Sequence, residues 1–62
     1  MAAGPELSSV ASALDGLTKR VAETAESFSG TERDDLASAL FEVERAMQGA
    51  HRRLEKIVSA LL

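Results

Sequence analysis

The stretch FSGTERDDL, residues 28–36, separates two readings of this chain: one long helix, or two helices folded back on each other. Gly30 suits the left-handed position that ends a helix, and Thr31 suits the cap that begins the next. Asp34, three residues after Thr31, is placed to return a hydrogen bond to that cap, while Ser29 with Glu32 offers a competing capping box. Stop chemistry followed directly by start chemistry predicts a reversal. The expected elements are a helix over residues 5–28, a turn over 29–31 and a second helix over 32–61. Pro5 fits a first helical turn and leaves residues 1–4 as a frayed tail.

On either side of the turn the apolar residues keep a 3,4 spacing. The first segment carries Leu7, Val10, Leu14, Leu17, Val21 and Phe28, with Thr24 in the one remaining slot. The second carries Leu36, Leu40, Val43, Met47, Ala50, Leu54, Ile57 and Leu61 without a slip. Such seams define coiled-coil-like heptads. Folding them together about a short turn predicts an antiparallel hairpin in which paired residue numbers sum to about 64. Leu17 then faces Met47 and Val21 faces Val43, with Val58, Leu61 and Leu62 overhanging the start of helix 1. Thr24, the one polar seam residue, is expected to bond back to its own helix.

Composition agrees with an all-α fold. Eleven alanines, two phenylalanines and no tryptophan or tyrosine favour helix over sheet. The absence of cysteine removes disulfides and thiolate metal sites as sources of stability, so a core drawn from 62 residues needs help from elsewhere. Apolar side positions, Ala11, Ala13, Ala25, Ala37, Ala39, Ala46, Val58 and Ala60, make the apolar face wider than one neighbour requires. Together these features predict that two hairpins dimerise into a four-helix bundle. Gly16 and Gly49, with Ala13, Ala46 and Ala50 nearby, form a waist of small residues where the second copy is expected to approach most closely. Phe41, off the seam, and the apolar end of Val58, Leu61 and Leu62 complete the expected interface.

Charge is distributed unevenly along the hairpin. Residues 21–44, the turn half, hold seven acids and one base, a net −6; the open half holds six bases and three acids, a net +3. Asp34 and Asp35 complement the dipole of the second helix, and bases towards its end are expected to do the same. Glu23 and Glu26 oppose the dipole of the first. The acidic tip (Glu23, Glu26, Asp34, Asp35) and the basic end (Arg52, Arg53, Lys56) therefore suggest two copies docked tip to end.

Other chemistries have little support in the pattern. HRRLEK, residues 51–56, places Arg52 and Lys56 on one face, as a small nucleic-acid-binding regulator would, yet the chain is acidic overall and no aromatic residue interleaves the bases. His51 and Glu55 have the i, i+4 spacing of two metal ligands without the Glu-x-x-His pattern of carboxylate bundles. No phosphate loop or nucleophile elbow occurs. The expectation is a non-enzymatic interaction or scaffolding module without cofactor or metal. Its expected partner is a second copy or another helical protein.

The start MAAGPELSS lacks the basic flank and apolar run of a secretory signal, and the longest apolar run is three residues, which points to a soluble, cytoplasmic chain with no membrane span. One resemblance leads elsewhere. Phe28, Ser29 and Gly30 resemble the Trp-x-Gly turn of the WXG100 group of secreted helical hairpins, with Phe in place of Trp. Over those three residues and the hairpin shape, the resemblance implies a secreted or virulence-associated hairpin as the alternative.

Overall fold

The computed structural model describes residues 2–62 and contains two α-helices, α1 (Ala3–Phe28) and α2 (Asp34–Leu61), which pack against each other along their length. The result is a rod of 49 × 14 × 11 Å. Its radius of gyration of 14.5 Å exceeds the roughly 11 Å of a compact domain of this length. Two helices side by side enclose no interior.

The reversal occupies residues 29–33, two more than the spacing predicts. Gly30 is left-handed as expected, with φ of +75°, and the Thr31 N–H donates to the Phe28 carbonyl at 3.2 Å to close the end of α1. Thr31 does not cap α2. Its hydroxyl donates to the Phe28 carbonyl at 2.6 Å and accepts from the Arg33 N–H at 3.1 Å, so it folds the turn instead. Arg33 takes the cap position without a side-chain bond, and neither expected capping box forms. The Asp34 carboxylate reaches past Thr31 to accept from the Gly30 N–H at 2.8 Å. Asp34 thereby ties the start of α2 to the end of α1.

The other end also differs from expectation. Helix α1 begins at Ala3, ahead of Pro5, and the Glu6 N–H closes its first turn on the Ala2 carbonyl at 3.1 Å. Proline is tolerated there because the first four N–H groups of a helix have no internal partner. Of the expected tail, Ala3 and Gly4 are helical, Ala2 is the N-cap, and Met1 lies outside the described residues. Helix 2 does not overhang: Gly4 is buried, and a Cβ built on it would lie 3.0 Å from Leu62 Cδ2 and 3.7 Å from Leu61 Cβ.

The helices do not meet along the two large-residue seams. Every seventh residue of α1, Gly4, Ala11, Thr18 and Ala25, is buried, and on α2 the corresponding column runs Ala37, Glu44, His51 and Val58, buried at its ends and half-buried between. Small side chains at the contact let two backbones approach closely, towards the short end of the usual 8–10 Å. Thr18 fits this column because its hydroxyl donates to the Leu14 carbonyl at 2.7 Å and leaves only a methyl to pack. Thr24 bonds back to Arg20 at 3.0 Å, as expected.

Two substitutions test this account. Ala25→Leu, which forces a large side chain into the closest contact, is expected to destabilise the hairpin by about 1–3 kcal/mol. Gly30→Ala, which places a Cβ at a left-handed position, should cost about 1–2 kcal/mol. Both are read from denaturant midpoints followed by circular dichroism, and a wild-type midpoint for Ala25→Leu would overturn the small-residue contact.

Candidate interaction face

With the small column turned inward, the predicted seams divide. Leu7, Leu14, Val21 and Phe28 on α1, and Leu40, Met47 and Leu54 on α2, flank the contact and are half-buried. The next column outward, Val10 and Leu17 on α1 with Val43 and Ile57 on α2, is 45–49% exposed. Leu61 is 51% exposed at the open end. Leu17, Val21, Thr24, Leu40 and Met47 line one shallow groove between the helices, bordered by Arg20. The expected Leu17–Met47 layer therefore spans an open groove where a closed core was predicted.

The opposite side of the rod is polar. Ser8, Ser12, His51, Glu55 and Ser59 line one depression there, with Asp15, Gln48 and Arg52 around a second. His51 Nδ1 lies 3.2 Å from Glu55 Oε1, the Gln48 amide donates to Glu44 at 3.4 Å, and Lys19 pairs with Asp15 at 3.2 Å. These are short-range bonds within single helices. Among the described residues no three metal-ligating side chains gather, and no helix is long and apolar enough to cross a membrane.

The residues singled out in the sequence are distributed over several surfaces. Val58 is buried between the helices, and Phe41 is half-buried in the column of Gln48 and Glu55, on the polar side of the contact. Ala13, Ala46 and Ala50 are exposed, Ala50 in the same column as Val43 and Ile57. Gly16 faces open space, since a Cβ added there would meet nothing within 4 Å, and the nearest group to Gly49 is the Arg52 side chain at 3.8 Å. Neither glycine is required by the hairpin's own packing. The small residues that do set the helix approach are Gly4, Ala11, Ala25 and Ala37, of which only the three alanines stand out as apolar flanks of the seam. Their recurrence at seven-residue intervals is the signal that locates the contact.

At the tip, the Arg33 guanidinium grips both Asp35 oxygens at 3.2 and 3.3 Å and holds its carboxyl below the usual aspartate range. Among the described residues Glu23, Glu26, Asp34 and Glu42 form no ion pair, nor do Arg45 near the middle of α2 and Arg52, Arg53 and Lys56 further along it. Glu23 and Glu26 stand towards the C-terminus of α1, which has no base in its last turn. The last turn of α2 also lacks a base, so Arg52, Arg53 and Lys56 lie too far back to offset its dipole as expected.

Comparison with known protein families, curated proteins and solved structures finds no match to this chain. The site is therefore defined by its own geometry: a broad apolar face on one side of a two-helix rod, a polar face on the other, and an acidic tip.

Arg33→Gln should raise the Asp35 pKa towards its ordinary value, as followed by carboxyl carbon shifts in an NMR titration. Because the folded-state pKa is the depressed one, the stabilisation from the Arg33–Asp35 pair is present above the ordinary aspartate pKa. It is lost as pH falls through the folded value. An unchanged Asp35 titration in the variant would show that the pair does not persist in solution.

Proposed function

We propose that this protein is a small non-enzymatic interaction module that works by self-association, two hairpins joining across their apolar faces into a coiled-coil-like four-helix bundle. The observation that carries this reading is the half-exposure of Val10, Leu17, Val43 and Ile57 on one side of the rod. Large hydrophobic side chains aligned on one face mark a surface that a partner covers. The area supports the same reading. The chain exposes 4570 Å², against about 3,900 Å² for a compact protein of 6.6 kDa. The excess, roughly 700 Å², is close to the ~800 Å² that each partner contributes to a standard interface.

In such a bundle each helix has two neighbours. The small column packs on the hairpin's own second helix, the exposed column packs on the other copy, and the half-buried leucines between them point to the shared centre. The apolar width inferred from the sequence is then fully used. A scaffold of this kind acts by holding two chains together, with its two polar sides outermost.

Sedimentation equilibrium of the pure chain tests this directly, recorded by interference because tryptophan and tyrosine are absent. A mass twice 6.6 kDa is expected. The unfolding midpoint should also rise with protein concentration, since folding and association are linked. Leu17→Glu should weaken the dimer at least tenfold by placing an unpaired charge in the interface, whereas Ser12→Glu on the polar side should leave it intact. A folded monomer with a concentration-independent midpoint would overturn the proposal.

A further inference from the structure

Resting on that self-association, we infer that the two copies lie with their turns at opposite ends, each acidic tip seated beside the basic open end of its partner. The apolar face runs from Val10 and Ile57 near the open end through Leu17 and Val43 towards the turn, so a second copy must overlie most of the 49 Å rod. Two symmetric arrangements achieve this. A two-fold axis along the rod brings both turns to one end and stacks α1 on α2 of the partner. A two-fold axis across the rod separates the turns and stacks each helix on its own copy, running antiparallel.

Charge separates the two arrangements. Counted on the observed helices, whose midpoints fall near residues 16 and 47, the turn half carries seven acids and four bases, net −3, and the open half three of each, so an axis along the rod sets two halves of net −3 side by side. Like charges juxtaposed in this way oppose association. With the axis across the rod, each −3 half lies against a neutral half in which Arg52, Arg53 and Lys56 are gathered on α2. Within one chain Asp34 and Asp35 at the turn stand roughly 25 Å or more along α2 from Arg52, Arg53 and Lys56, and ionic attraction is screened beyond about 8–10 Å.

The side chains available for pairing are those the hairpin leaves unpaired. Among the described residues, Glu23, Glu26 and Glu42 at the turn half, and Arg52, Arg53 and Lys56 at the open half, make no ion pair. Glu42 and Arg53 lie symmetrically about the middle of α2, five and a half residues either side of its centre. An antiparallel α2–α2 contact brings each to the level of the other's partner copy. Along one helix they are separated by about 16 Å at 1.5 Å per residue, too far to interact directly. Coupling between them would therefore report the interface.

Glu32→Cys, the only cysteine in the resulting chain, carries a spin label at the exposed turn for pulsed dipolar measurement on the full-length protein. The expected result is a dimer whose label separation approaches the 49 Å length of the rod. A separation near two helix diameters, ~20 Å, would overturn the opposed arrangement while leaving self-association standing. Absence of any dipolar signal in a sample that sediments as a monomer would overturn both. The sign of the salt effect is an independent readout. Raising ionic strength from about 0.1 to about 1 M should weaken an opposed dimer several-fold, and a dimer that tightens instead would refute the arrangement. Arg53→Glu should weaken association, and adding Glu42→Arg should restore it; failure of that rescue counts against the inferred pairing.

Discussion

The close approach of α1 and α2 along Gly4, Ala11, Thr18 and Ala25 is the constraint on which the rest of the structure depends. A column of small residues at seven-residue intervals lets two backbones come together, and it leaves no room for leucine at the contact itself. The large side chains of the two seams are thereby displaced to one flank, the one away from Phe41. On that flank they are half-covered at best, and one further column out they are half-exposed. The same constraint that closes the hairpin thus creates its apolar face.

The polar flank follows from the same geometry. Glu44 and His51 lie half-buried in the α2 contact column, and His51 lines both polar depressions, with Ser8, Ser12 and Glu55 in one and Gln48 in the other. His51 and Glu44 each find a partner one helical turn away, and no buried side-chain polar atom among the described residues lacks a bond. The rod thus presents one polar side and one uncovered apolar side.

The hairpin itself was legible in the sequence, because its determinants are local. Gly30 takes the left-handed conformation that its position implies, and Thr24 bonds to its own helix. The choice of contact column was not legible from the seams alone. A 3,4 repeat identifies the apolar face of each helix but does not say which neighbour covers it, and large residues are as suited to a second copy as to the partner helix. The decisive pattern is weaker, four small residues among eleven alanines and four glycines, and it emerges only when position is read modulo seven. The cap failed for a different reason. Thr31 has one hydroxyl oxygen, and its bonds to Phe28 and Arg33 within the turn compete with capping, which moves the helix start to Asp34.

The charge pattern resists any explanation confined to one hairpin. Acids towards the end of α1 are unfavourable to its dipole, and the bases of α2 stand too far from its last turn to benefit from theirs. Among the described residues the one ion pair at the tip joins Asp35 to Arg33 of the same turn. An arrangement that is unhelpful within each helix, unpaired within the chain and unequal between the two halves of a rod becomes favourable when a second rod is laid beside it in reverse. In the proposed dimer the apolar face would supply the energy of association without specifying direction, since it runs along both halves of the molecule. The charges contribute little to that energy, being exposed and screened, but they differ between the two possible directions. Under that proposal affinity and orientation would reside in different residues.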